Sequence, residues 1–339
     1  MSCSRPKVTI GMPVYNGEAF IEEALESLCA QTYTDFELII SDNASTDRTE
    51  SICRRFAERD SRIRYDRLAE NLGAVPNFNR VFELSDSKYF KWAAADDICA
   101  PTFLARCVEL LESDSSVVWC HTHSSHIDSE GRVLDDPDAI DVSYPGRDSQ
   151  SAYHRFSRVL LGRGGCLDSY ALIRSDVIRQ TPLILPYYGA EKVFIAELAL
   201  HGRYREVSET LFFPRVHAGT AGNLETAADQ QAYMNTHSRR FEWTRWRLLR
   251  GYVSAVVRAP VSAWNKLKCL TVIARYLLQI GKWKSVLLNT LRGAGIRGGN
   301  VDRIKRLEQR ASNELDRATP PGLDARSASP IKKAADPTT

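Results

Sequence analysis

Two hydrophobic periodicities alternate along the first third of the chain. Short continuous apolar runs are typical of buried parallel strands, and they occur at 7–12, 36–41, 63–65, 88–93 and 116–122. Segments with apolar residues every three or four positions are typical of amphipathic helices, and they occur at 18–30, 45–59, 75–84 and 101–111. This order predicts an α/β fold with a Rossmann-like, mostly parallel sheet flanked by helices.

The pattern changes twice further along the 339-residue chain. After residue 128 the strand and helix signals are weaker and turn sequences separate them. From about residue 226 the pattern predicts amphipathic helices rich in Trp, Leu and Arg, and the composition after residue 312 predicts disorder. The expected units are an α/β domain over 1–225 with halves at about 1–128 and 129–225, a helical appendage over 226–311, and a disordered tail over 312–339.

The net charge of +3 averages two unlike parts of the chain. Residues 239–292 contain twelve basic residues, four tryptophans and one acidic residue, Glu242. Such a composition is typical of helices that bind an anionic membrane surface. It is equally compatible with aromatic residues that pack onto the α/β domain beside a solvated basic face. No nucleic-acid-binding motif accompanies the charge, so we expect no nucleic-acid partner.

Eight cysteines are scattered among apolar stretches without a C-x-x-C pair. This distribution is typical of reduced, buried thiols. No signal-peptide pattern precedes the first strand, and no run of eighteen apolar residues predicts a transmembrane helix. We therefore expect a cytoplasmic protein, with peripheral contact at the inner face of the membrane if the basic region binds lipid.

Asp96 and Asp97 follow the predicted strand 88–93. Two adjacent carboxylates repel each other, and a divalent cation would hold them together. Oxygen ligands favour Mg²⁺ or Mn²⁺, with the phosphates of a substrate completing the coordination sphere. The alternative is a helix N-cap next to a solvated acid.

Three loops follow predicted parallel strands, at 13–16, 42–47 and 94–97. The carboxyl ends of parallel strands share one sheet edge, so these loops converge where nucleotides commonly bind. The first loop lacks G-x-G-x-x-G spacing, so groups other than helix-end amides must hold the phosphates. Asp42 could accept an N–H from a pyrimidine base, or it could serve the local turn.

Four motifs, in order and spacing, resemble family 2 glycosyltransferases of the GT-A fold, and the resemblance continues more weakly to about residue 219. The motifs are Pro13-Val14-Tyr15-Asn16-Gly17-Glu18, Ser41-Asp42-Asn43-Ala44-Ser45-Thr46-Asp47-Arg48-Thr49, Glu70-Asn71-Leu72-Gly73 and Trp92-Ala93-Ala94-Ala95-Asp96-Asp97. The resemblance implies an inverting transferase that moves a sugar from a UDP-, GDP- or dTDP-linked donor. The acceptor would be a hydroxyl of a glycan or lipid-linked molecule in cell-surface polysaccharide or glycolipid synthesis.

The resemblance also implies roles for matched residues. A carboxylate would deprotonate the acceptor, while a metal would stabilise the leaving nucleoside diphosphate. Asp97 would bind that metal, and Asp42 would bind the base. The other residues expected to border the nucleotide are Pro13, Val14, Tyr15, Glu18, Asn71, Gly73 and Asp96.

The acceptor side of the site is expected in the second half of the α/β domain. The family's catalytic base lies at the start of a helix after a loop, which points to Glu191 in Pro186-Tyr187-Tyr188-Gly189-Ala190-Glu191. Relatives often have Asp here, and a carboxylate that merely stabilises the helix N-terminus is the alternative. His217, in an Arg-x-His sequence, would bind the metal or the diphosphate, or be structural.

Aromatic residues near these motifs have two interpretations. Trp92, Tyr187 and Tyr188 could stack on a sugar ring, or they could belong to the core. Two other function classes stay open at this stage. They are a sugar nucleotidyltransferase, which would normally carry a basic phosphate-binding loop after the first strand, and a non-catalytic glycan- or lipid-binding module.

Overall fold

The computed structural model describes residues 5–134, 146–162, 167–217, 219, 233–234 and 244–279. Its strands are β1 (Val8–Val14), β2 (Phe36–Asp42), β3 (Ile63–Arg67), β4 (Tyr89–Trp92), β5 (Ile98–Cys99), β6 (Val117–Ser124), β7 (Leu172–Arg174) and β8 (Arg203–Phe213). Its helices are α1 (Ile21–Cys29), α2 (Thr49–Arg59), α3 (Ala74–Glu83), α4 (Phe103–Ser113), α5 (Ala152–Leu161), α6 (Ser175–Ile178), α7 (Ala190–His201), α8 (Thr244–Arg258) and α9 (Ala263–Leu277).

The eight strands form one sheet in the order β3-β2-β1-β4-β7-β6-β8-β5. Strands β3, β2, β1 and β4 are parallel, as the alternating pattern predicts. In the other half β6 and β8 are parallel, whereas β7 is antiparallel to β4 and β6, and β5 is antiparallel to β8. Strand β5 was not predicted, because two residues contain no measurable period. The pattern predicts a strand at 168–173, which overlaps β7 only at its last two residues, since Leu167–Tyr170 form a short 3₁₀-helix.

The sheet has an apolar layer on each face. On one face β1 packs against α1 and α4 through residues such as Ile10, Leu25 and Phe103. On the other face β4 packs against α3 and α7 through residues such as Phe90 and Phe194. Two buried layers explain why β1 is apolar at nearly every position instead of alternating.

Helices α8 and α9 pack onto α5 and α7. Tyr252, Ala255 and Val256 of α8 share a buried cluster with Phe156 of α5 and Ala196 of α7. The guanidinium of Arg258 donates from Nε and Nη2 to the two oxygens of Glu197, at 3.0 and 2.8 Å. Part of the basic region therefore packs on the α/β domain. The expected boundary at 225/226 and the tail over 312–339 lie outside the described residues.

Gly11 tests how tightly β1 packs against α3. A Cβ atom at this position would lie 2.6 Å from Phe90 Cζ and 2.7 Å from Val81 Cγ2. We expect Gly11→Ala to lower the free energy of unfolding in urea by about 1–3 kcal/mol because of this overlap. Adding Val81→Ala removes the contact with Val81 Cγ2 and leaves those with Phe90 Cζ and Val81 Cβ, so the double variant should lose somewhat less stability than the sum of the two single variants. Additive losses would contradict the packing described here.

Candidate active site

The loop after β1 is held by the loop after β2. The backbone N–H groups of Asn16, Gly17 and Glu18 donate to Ser45 Oγ, Thr49 Oγ1 and an Asp47 carboxylate oxygen, at 2.9, 2.8 and 3.0 Å. These amides at the start of the first helix are thus engaged within the protein. This agrees with the expectation that helix-end amides do not hold phosphates here.

The same two loops are also connected in the opposite direction. Asn16, at a φ of 50°, accepts the N–H of Thr46 at 2.8 Å, and Glu18 accepts the N–H of Arg48 at 3.0 Å. The hydrogen bonds from Arg48 hold the pKa of Glu18 below its usual range. Glu18, which we expected to border the nucleotide, therefore connects the two loops as an ionised carboxylate.

Strand β1 ends at the carboxyl edge of the sheet next to β2. Pro13 and Val14 are buried there in register with Ser41 and Asp42. The next residue, Tyr15, is 48% exposed. The structure thus presents an accessible aromatic ring at the position expected to border the nucleotide.

Asp42 is fully buried at the end of β2. One carboxylate oxygen accepts the N–H of Ser45 at 2.8 Å, and the other accepts the hydroxyl of Tyr65 at 2.6 Å. Burial and the hydrogen bond to Asp42 raise the pKa of Tyr65 well above its usual range. Asp42 thus serves the local turn that was the alternative interpretation, while contact with a base stays a prediction.

Asn43 shapes the turn that carries Asn71 and Gly73. Its side-chain amide donates to Asn71 Oδ1 at 2.9 Å and to the carbonyl of Gly73 at 3.0 Å, and its oxygen accepts the N–H of Leu72 at 2.9 Å. Gly73 has a φ of 90°, a conformation that favours glycine, and α3 begins immediately after it. The sequence places Asn43 in a motif but does not reveal these contacts, because its partners lie 28 to 30 positions away.

Asp96 and Asp97 lie at the carboxyl edge between β4 and β5, as predicted. Asp97 Oδ1 accepts the backbone N–H of Arg215 at 2.9 Å, and Asp96 Oδ2 lies 2.9 Å from His217 Nε2. Burial and the neighbouring charge of Asp96 raise the pKa of Asp97. His217 also contacts the Phe20 ring, with 4.6 Å between ring centroids. The two carboxylates and the predicted histidine are therefore brought together.

The guanidinium of Arg215 is completely buried behind these carboxylates. Its Nε donates to the carbonyl of Asp96 at 2.9 Å, and Nη2 pairs with Glu23 of α1 at 2.6 Å. Nη1 donates to the carbonyls of Asp128 and Ser129, both at 3.1 Å. Sequence reasoning noted Arg215 only as part of Arg-x-His, since none of these partners is a sequence neighbour.

Glu191 lies in the first turn of α7, after Gly189 at a φ of 85°. The preceding loop is fixed to α3 because Asn79 exchanges two hydrogen bonds with the backbone of Ile184, at 2.9 and 3.1 Å. Partial burial and the charges of Asp96 and Glu191 raise the pKa of Tyr233, which is 40% exposed, to about 12. No pattern in the sequence identified Tyr233.

The aromatic residues considered for sugar stacking differ in their exposure. Trp92 is fully buried, packs edge-on against Phe90 and Phe194, and donates its Nε1–H to the carbonyl of Phe78 at 2.8 Å. It belongs to the core, which was the alternative. Tyr187 is also buried, whereas Tyr188 is partly exposed.

The carboxylates at the site supply some of the ligands that a hard divalent cation needs. In the described part of the chain, no three His, Cys, Asp or Glu side chains are grouped as a complete metal site. Mg²⁺ and Mn²⁺ need fewer protein ligands, because one or two carboxylates plus substrate phosphates are typical. Asp96 retains 29% side-chain exposure and lies beside Asp97, so these carboxylates fit such a shared site.

Comparison with known proteins defines the class. The solved structure of S. aureus TarS in complex with UDP-GlcNAc aligns with a TM-score of 0.59 at 15% identity, covering 80% of this chain and 71% of TarS. The fold is that of GT-A glycosyltransferases. The family model for glycosyl transferase family 2 matches residues 9–180, just over half of the chain. The protein belongs to this family, as the four motifs implied.

The curated relatives match only part of this chain. TuaG of Bacillus subtilis, a putative teichuronic acid biosynthesis glycosyltransferase, is 30% identical over 131 residues, 39% of this chain and 52% of TuaG. A Haemophilus influenzae glycosyltransferase is 32% identical over 112 residues, 33% of this chain and 35% of that protein. The chain thus spans about half or less of the length of these relatives.

Arg215 provides a test of how the site is held together. Replacing the guanidinium with an ammonium in Arg215→Lys leaves several buried acceptors unpaired, so we expect the free energy of unfolding to fall by about 2–4 kcal/mol. Urea unfolding followed by circular dichroism measures this. Arg132→Lys is the matched control, because Arg132 is 41% exposed in its pairs with Asp128 and Glu130. Equal losses in the two variants would contradict the role assigned to Arg215.

Proposed function

We propose that this protein is a glycosyltransferase that moves a sugar from a nucleotide-diphosphate donor to a hydroxyl acceptor with inversion at the anomeric carbon. The observation that carries the proposal is the convergence of the loops after β1, β2, β3 and β4 at one sheet edge, where Asp96, Asp97 and His217 lie together. A sugar nucleotidyltransferase is disfavoured, because the amides of Asn16, Gly17 and Glu18 are engaged within the protein and residues 13–18 contain no basic residue. A non-catalytic module would show no turnover, which the test of Glu191 below measures.

The nucleotide would bind across the loops after β1, β2, β3 and β4. Tyr15 offers an exposed ring, and Glu18 and Asn43 hold the loops on either side of it. The proposed nucleotide-binding residues are Pro13, Val14, Tyr15, Glu18, Asp42, Asn71, Gly73 and Asp96. For Asp42 to reach a base directly, the hydrogen bond from Tyr65 would have to yield.

We assign Mg²⁺ or Mn²⁺ to Asp97, with His217 as a second ligand to the metal or the diphosphate. Neutral imidazole is a common metal ligand, and Asp96 lies close enough to His217 to orient its ring. When bound, such a cation would neutralise the charge that develops on the departing nucleoside diphosphate. Arg215 donates to the backbone carbonyl of Asp96 and pairs with Glu23, so it connects the loop that carries the two carboxylates to α1.

Glu191 is the proposed general base. It lies in the first turn of α7, at the positive end of the helix dipole. The carboxylate would accept the proton of the acceptor hydroxyl as that oxygen attacks the anomeric carbon. Attack opposite to the leaving diphosphate, in one displacement, gives inversion.

The acceptor would be a glycan or a lipid-linked molecule in cell-surface polysaccharide or glycolipid synthesis. The name of TuaG, which refers to teichuronic acid biosynthesis, supports this class. The UDP-GlcNAc complex of TarS supports a nucleotide-linked donor, with UDP, GDP and dTDP as candidates. We propose that the enzyme works at the cytoplasmic face of the membrane.

Nucleotide binding tests the donor site. We expect one of UDP, GDP and dTDP to bind in calorimetry with Mn²⁺, and Asp97→Asn to weaken that binding by about tenfold or more through loss of a metal ligand. Glu109→Gln is the control, since Glu109 is 72% exposed on α4. Folded protein that binds no nucleotide, or Mn²⁺-independent binding unaffected by Asp97→Asn, would contradict the donor site.

The proposed base has its own test. Glu191→Gln should lower the rate of nucleoside diphosphate release by about 10²–10⁴, the usual contribution of a general base, and leave nucleotide affinity unchanged. Glu22→Gln is the matched control, because Glu22 also lies in the first turn of its helix and is 52% exposed. Unchanged turnover in Glu191→Gln would remove Glu191 from catalysis.

A further inference from the structure

The hairpin of α8 and α9 has one covered side and one open side. The two helices run antiparallel. The ring centroids of Tyr252 and Tyr276 are 5.7 Å apart, and Lys266 Nζ donates to the carbonyl of Val257 at 2.6 Å. Their inner residues, including Cys269 and Val272, are buried against α5 and α7. The remaining faces point away from the protein.

Large apolar side chains occupy the open side. Trp264 is 64% exposed, and Val257 and Leu278 are 62% and 75% exposed. The exposed apolar residues of the hairpin define what we call the outer surface: Trp246, Val253, Val257, Trp264, Leu267, Leu270, Leu277 and Leu278. They recur at helical spacing along α9, so they form a stripe and not isolated positions.

The charge of the hairpin has one sign. Residues 244–279 contain seven basic residues and no acidic residue. Arg250 and Arg275 are exposed beside the stripe, and Lys268 Nζ lies 5.3 Å from the ring centroid of Trp264. A surface with outward tryptophan and aliphatic side chains flanked by cations is complementary to anionic lipid headgroups above an acyl layer.

We propose that the outer surface of α8 and α9 docks onto an anionic lipid bilayer. A second copy of the chain would place two cationic faces together, which is electrostatically unfavourable in a symmetric dimer. A nucleic acid would use the cations but would leave the leucines and valines exposed to water. None of the described helices is long and apolar enough to cross a membrane, so the contact is peripheral.

The outer surface also has a fixed relation to the loop before α7. Arg247 of α8 donates to the carbonyl of Pro186 at 3.2 Å, and Leu248 packs beside Gly189. Gly251 leaves room for the hydroxyl of Tyr187, which would lie 2.6 Å from a Cβ atom at that position. If the proposed function holds, docking therefore brings Glu191 near the lipid surface, where a lipid-linked acceptor would be presented.

Vesicle binding by the full chain tests the proposal without donor or turnover. We expect sedimentation with vesicles of phosphatidylcholine and phosphatidylglycerol at 70:30, little with phosphatidylcholine alone, and release by salt. W264S/L267S should weaken binding by about tenfold or more, and R250Q/R275Q by about fivefold for each charge removed. Val133→Ser, at another exposed apolar residue, and R59Q/R64Q, at exposed arginines of α2 and β3, should bind like the unaltered protein.

A second measurement uses the unaltered protein as its reference. Brominated lipids should quench the tryptophan fluorescence, and Trp264→Phe should reduce the quenching while binding persists. The proposal is overturned if the folded protein does not bind anionic vesicles, or if W264S/L267S binds them as strongly as the unaltered protein does. It is also overturned if that variant only abolishes self-association, or if RNA binds and vesicles do not. If the unaltered protein binds anionic vesicles but transfers no sugar, the proposed function is contradicted and the docking proposal stands.

Discussion

A buried positive charge holds the candidate site together. The guanidinium of Arg215 has no contact with solvent, and burying it would be costly without the carboxylate of Glu23 and three backbone carbonyls around it. These partners come from α1, from the loop after β4, and from the turn at 128–129. Because each partner compensates part of one desolvation cost, the positions of all three segments depend on one side chain. The carboxylates of Asp96 and Asp97 are oriented on this framework.

Hydrogen bonds between loops complete the framework. The loop after β1 gives its amides to side chains of the loop after β2, and Asn43 fixes the turn before α3. This differs from a glycine-rich phosphate loop, in which the amides remain available to the ligand. In the proposed function, side chains and a shared cation would meet the diphosphate instead, and the adjacent carboxylates of Asp96 and Asp97 support that proposal.

The sequence predicted the parts of the structure that depend on local pattern. Periodicity located β1 to β4 and their helices, and strand ends located Asp96 and Asp97, because parallel strands share an edge. It could not locate β5, and it predicted a strand at 168–173 where β7 covers only Leu172–Arg174, because the antiparallel pairing is decided by partners far along the chain. Asn43, Tyr65 and Tyr233 were missed for the same reason. Trp92 shows the converse error, since a residue beside a functional motif belongs to the core.

The packing of α7 has a practical consequence for dissecting the protein. Nine of its residues are buried, because the sheet covers one side and α8 and α9 cover another. A protein shortened at residue 225 would lose that second cover and would expose Val193, Ala196 and Leu200 along with the unpaired carboxylate of Glu197. The family match ends at residue 180, yet the packing of α7 depends on the hairpin. Shortened forms of the protein should therefore keep α8 and α9 together with the α/β domain.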